Sequence, residues 1–76
     1  MKNLRAEKII RECEERKEPY FVLRAQDILS TMSLLHYATL VETYVPYSEL
    51  PDDVAILIRQ FRDWQQNHPT QVKLPD

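Results

Sequence analysis

Glycine is absent from the 76 residues, and cysteine occurs only once. Without glycine, a phosphate-cradling loop, a dinucleotide fingerprint and a nucleophile elbow are all excluded in their standard forms. Each needs backbone that approaches a ligand closely or turns through positive φ. Cys13 alone makes no intramolecular disulfide, and with only His36 and His68 to join it no zinc site of ordinary spacing results. A basic excess is also missing. Ten Lys/Arg against twelve Asp/Glu give a formal charge of −2, whereas nucleic-acid modules draw most of their affinity from phosphate neutralisation. Apolar runs such as residues 55–58 fall far short of a membrane span, and the charged N-terminal stretch does not read as a signal peptide. What is present is 43% hydrophobic residues, enough for one small core. The expectation is a single cytoplasmic domain with no cofactor and no metal.

Periodicity predicts three helices. Residues 2–17 carry Ala6, Ile9, Ile10 and Cys13 on one narrow stripe, with Glu-first pairs Glu7–Arg11 and Glu12–Arg16 along the surface. Pro19 ends this helix by pushing Glu18 out of the α region. Residues 19–26 are aromatic and β-branched and predict an extended connector, a lone strand unless residues 45–47 or the tail supply a partner. Asp27 suits the N-cap of a helix over 28–44. Ile28, Met32 and Leu35 form one apolar stripe of that helix. Leu29, Leu34, Tyr37, Ala38, Leu40, Val41 and Tyr44 spread over a wide arc on its other side, which predicts a buried central element. The third helix, 51–66, opens on Pro51, Asp52 and Asp53 and has the clearest amphipathic pattern: Val54, Leu57, Ile58, Phe61 and Trp64. Residues 67–76 form a polar tail. The fold expected is an all-α, three-helix domain packed around the second helix.

Candidate chemistry is sparse. His36 lacks a nucleophile nearby and reads as a partly buried histidine with one hydrogen bond; His68 at a helix end reads as a cap. Cys13, on the apolar stripe between Glu12 and Glu14, reads as a small hydrophobe. Asp52 and Asp53 with Glu49 and Asp63 lack calcium-loop spacing, and helix-start electrostatics account for them. No catalytic residue is assigned. Binding to itself, as a two-fold dimer, or to another protein is expected instead, because two helices cover only part of a third that is apolar on both sides, unless the Phe21–Leu23 connector covers the same surface. The surface expected to remain open comprises Leu34, Tyr37, Val41 and Tyr44, together with Tyr47 and Phe21. An alternative is a helix-turn-helix-like DNA-binding regulator using Arg59, Arg62 and Gln66; Asp52, Asp53 and Asp63 on the same helix, and a proline-bearing loop, stand against it.

The stretch Phe21-Val22-Leu23-Arg24-Ala25-Gln26-Asp27, with Trp64 and the ending Lys73-Leu74-Pro75-Asp76, resembles a group of small uncharacterised proteins of bacteriophages and other mobile elements. The similarity spans about a third of the chain, and residues 44–51 lack the glycine-containing turn often found in the group. The resemblance implies an accessory role and carries no activity or ligand. The function expected is therefore that of a small non-catalytic protein-interaction or accessory protein.

Overall fold

The computed structural model describes residues 4–75 and contains three helices: α1 (Leu4–Arg16), α2 (Ser30–Tyr44) and α3 (Leu50–Asn67). Lys2 and Asn3 of the expected first helix, and Asp76 of the tail, lie outside the described residues. The α2–α3 pair makes the fold. Leu34 and Val41 of α2 meet Val54 and Ile58 of α3, and Leu23, Ala38, Leu50, Leu57 and Phe61 pack around these four. The amphipathic pattern read for the third helix is the one it uses.

α1 ends differently from the proline-based expectation. Lys17 takes the left-handed conformation at φ 56°, and the Glu18 N–H donates to the Cys13 carbonyl at 2.9 Å while the Lys17 N–H donates to Glu14 at 3.3 Å. This is the double-bonded C-terminal motif that glycine ordinarily serves, here made by a lysine in a chain with no glycine. Arg5 reaches Asp53 at 3.6 Å, an exposed ion pair linking the start of α1 to the first turn of α3. Cys13 is buried, as its place on the stripe predicts.

Two expectations for α2 are corrected. The helix starts at Ser30 rather than Ile28, and its cap residue Leu29 makes no side-chain capping bond. Asp27 still acts locally: its Oδ1 accepts the Leu29 N–H at 2.8 Å, closing a turn just ahead of the helix. Nor is α2 buried all round. Only Ser30, Leu34 and Val41 are buried, while Met32, Leu35, Tyr37, Leu40 and Tyr44 are exposed. One helix, α3, covers one side of it, and among the described residues α1 makes no comparable packing against it.

The connector forms neither helix nor strand over residues 18–24 and turns at Ala25 and Gln26, where the Asp27 N–H donates to the Arg24 carbonyl at 3.1 Å; the tail pairs just beyond it. Asp27 and Lys73 form an isolated parallel bridge, in which the Lys73 N–H donates to the Gln26 carbonyl and the Ile28 N–H to the Lys73 carbonyl, both at 2.9 Å.

Candidate interaction surface

The segment ahead of α2 is fixed by polar contacts that leave the helix's outer face free. Ser30, fully buried, donates through Oγ to the Asp27 carbonyl at 2.7 Å. Gln65 near the end of α3 donates through Nε2 to the carbonyls of Ala25 at 2.9 Å and Asp27 at 3.3 Å. Two segments distant in sequence, the end of α3 and the tail at Lys73, thus converge on residues 25–30, and the direction in which α2 leaves is set there. Ser30 and Gln65 were not singled out in the sequence; a small hydroxyl residue at a predicted helix start was the available signal for the first, and none existed for the second. Ser48 was likewise missed: its Oγ accepts the Leu50 N–H at 3.2 Å at the entry to α3.

The expected open surface divides into two groups. Leu34 and Val41 do not belong to it, being 8% and 4% exposed and facing α3. Their side of α2 is the one α3 covers: of the wide apolar arc Leu34 and Val41 joined the core with Ala38 packed against them, while Leu29, Tyr37, Leu40 and Tyr44, like the narrow Ile28–Met32–Leu35 stripe, stayed exposed. Tyr37, Tyr44, Tyr47 and Phe21 are exposed, with Tyr47 fully in solvent. They do not form one patch. Phe21 lines a hollow of about 230 Å³ with Asp27, Lys73 and Leu74 ahead of α2, whereas Tyr47 lies in the loop beyond its end, after about 22 Å of helix.

Arg59, Arg62 and Gln66 are brought together in a hollow of about 460 Å³ between α2 and α3. Glu42 and Asp63 line the same hollow, so carboxylates accompany the arginines. His36 is exposed on α2 and, among the described residues, has no hydrogen-bond partner, so the expected buried contact is not made. His68 caps α3 as expected. Its Nδ1 lies 2.8 Å from the Trp64 carbonyl, which only accepts, so Nδ1 carries the proton; the two rings stack at 4.3 Å. Among the described residues no group of three His, Cys, Asp or Glu could hold a metal ion, and no helix is long and apolar enough to cross a membrane.

The whole surface is large for the mass. The protein exposes 6682 Å², whereas a compact monomer of its 9.1 kDa exposes about 4,900 Å². Its radius of gyration of 13.7 Å likewise exceeds the roughly 11.4 Å of a compact chain of this length. No family model, curated protein or solved structure matches the chain.

Proposed function

We propose that this is a small, non-catalytic protein-interaction module that associates with itself. The observation that carries the reading is the surplus of surface, about 1,800 Å² above that of a compact monomer, together with exposed apolar side chains on α2 and the connector such as Met32, Leu40, Phe21 and Val22. A standard interface takes about 800 Å² from each partner. Among the described residues the buried apolar cluster comprises Leu34, Val41, Val54 and Ile58, and chains of this length seldom gain more than about 3–5 kcal/mol from such a core alone. Association supplies what a disulfide would otherwise supply. A cytoplasmic setting is consistent with the single, buried thiol. The likeness of residues 21–27 and 73–76 to phage and mobile-element accessory proteins adds a context, not a mechanism.

Light scattering coupled to size exclusion tests the reading over a dilution series from hundreds of micromolar downward. Twice the chain mass at the upper end, falling on dilution, is expected. A single-chain mass throughout the series overturns it.

A further inference from the structure

The hollow of about 460 Å³ between α2 and α3 is lined by two charges of each sign: Arg59, Arg62 and Asp63 on α3, and Glu42 on α2. Among the described residues the side chains of these four make no ion pair or hydrogen bond within the chain. The ion pairs that do form, Arg5–Asp53, Lys8–Glu12 and Arg16–Glu18, lie elsewhere. Arg59 and Asp63 stand one turn apart with the cation first, the less favourable order for pairing along a helix. Four charges of balanced sign therefore gather round one hollow, and none is paired.

The ground between them is apolar. Leu35, Ala38 and Ala55 line it, and so does the core residue Ile58, so the hollow opens onto the α2–α3 core. Among the described residues none from α1 lines it. The ion pair that ties α1 to α3 runs to Asp53. That residue precedes Ala55 by two positions and so lies about 200° round the helix from it. α1 is tied to another flank, and this one is open.

We infer that a second copy of the chain docks here about a two-fold axis, hairpin against hairpin, with Arg59 and Arg62 of each facing Glu42 and Asp63 of the other. This rests on the self-association proposed above and specifies where it occurs. Charge selects the occupant. In a two-fold contact, if residue i meets j then j meets i, so a face with two cations and two anions pairs all four with its own copy. A polyanion such as DNA pairs the arginines and is repelled by both carboxylates, and a basic partner meets the reverse. Exposed ion pairs contribute little affinity. They set the register, because like-charge contacts penalise the alternatives, while covering the apolar ground supplies the attraction.

Two double variants and their mixture test the placement. Arg59→Glu/Arg62→Glu makes the face wholly acidic, and Glu42→Lys/Asp63→Lys makes it wholly basic. All four positions are exposed, and circular dichroism checks that each variant keeps its helicity. Gln60→Glu, at an exposed position of α3 that does not line the hollow, is the control for added charge. Mass is read by light scattering over the same dilution series at low salt, where charge contacts are least screened. Each double variant alone should dimerise about tenfold or more weakly than the wild type, because like charges then face one another. The equimolar mixture should recover the two-chain mass, and Gln60→Glu should stay within about threefold of the wild type. A wild-type dimer that both double variants still form overturns this placement while leaving self-association intact. Variants that lose the dimer and do not regain it on mixing overturn the two-fold pairing of the charges. A wild type of single-chain mass throughout overturns both readings.

Discussion

Gln65 donates through Nε2 to the carbonyl of Ala25, 40 residues earlier, at 2.9 Å, and the same amide reaches the Asp27 carbonyl at 3.3 Å. The last turns of α3 are thereby tied to the connector, which is held on its other side by the Lys73 bridge. The NH₂ group carries two donor hydrogens and so can serve both carbonyls. Gln65→Glu substitutes a group that accepts but does not donate, and should destabilise by about 1–3 kcal/mol. For a chain of this length that is a fall in Tm of roughly 4–8 °C per kcal/mol, readable by thermal circular dichroism.

Ser30 shares that carbonyl. Its side chain is fully buried and its Oγ donates to Asp27 O at 2.7 Å. Ser30→Ala should cost about 1 kcal/mol for the lost bond. Ser30→Val should cost more, since a buried site is asked to hold extra methyl groups. Because Gln65 and Ser30 donate to one acceptor, the double variant Ser30→Ala/Gln65→Glu should depart from additivity by about 0.5 kcal/mol or more. Additive losses in a urea-denaturation cycle would show that the two bonds act independently.

How far these features could be read beforehand depended on asymmetry in the sequence. α3 has a polar face carrying Arg59, Gln60, Arg62 and Asp63, so its buried face followed directly from period and polarity. α2 has no such face. Leu34 and Val41 on one side and Met32 and Leu35 on the other are equivalent by hydropathy, and only the position of α3 decides between them. The outer stripe was visible as a stripe, but the surface expected to stay open was placed on the opposite arc. The cap of α2 was half legible: Asp27 makes the side-chain bond its type suggests, but Ser30 and the tail bridge delay the helix to Ser30. Long-range bonds such as Gln65 to Ala25 left no local mark, because a glutamine near a helix end is compatible with many roles.

Lys17 offers a gain rather than a loss. Its φ of 56° places a Cβ in the left-handed region, which glycine occupies without that clash. Lys17→Gly should raise stability by about 0.5–1 kcal/mol, the relief of the left-handed cost outweighing the extra freedom glycine gives the unfolded chain. Lys17→Ala keeps the Cβ and should give no such gain. Equal denaturation midpoints for the glycine and alanine variants would show that the turn relaxes on its own.

Tyr20 and Glu14 give a spectroscopic handle on the contact between α1 and the connector. The phenol donates to Glu14 Oε1 at 3.2 Å, and this bond, followed by the carboxylate's charge, raises its pKa above the ordinary 10.0. A raised pKa in the folded state means that the contact's contribution is fully present below the unfolded value and is lost as pH rises through the folded one. Phenolate absorbance of the wild type minus Tyr20→Phe should therefore titrate above pH 10.0, and Glu14→Gln should lower that midpoint. A midpoint indifferent to Glu14→Gln would place the cause elsewhere.

Val41 and Tyr44 lie one turn apart on α2 and were expected to share one surface, but they divide between core and solvent at 4% and 78% exposure. A carboxylate at Val41 would be buried against Val54 and Ile58 with nothing there to pair it. Val41→Glu should therefore unfold the domain outright, losing the far-ultraviolet helical signal at 25 °C, because the expected penalty rivals the roughly 3–5 kcal/mol such a core supplies. Tyr44→Glu should change stability by no more than about 0.5 kcal/mol, as for an exposed position away from packing. The pair also separates folding from association. Loss of dimer mass in Val41→Glu would report unfolding, whereas Tyr44→Glu tests the exposed tyrosine flank of α2 with the fold intact. A folded Val41→Glu chain with native helicity would mean that this side of α2 is not held against α3.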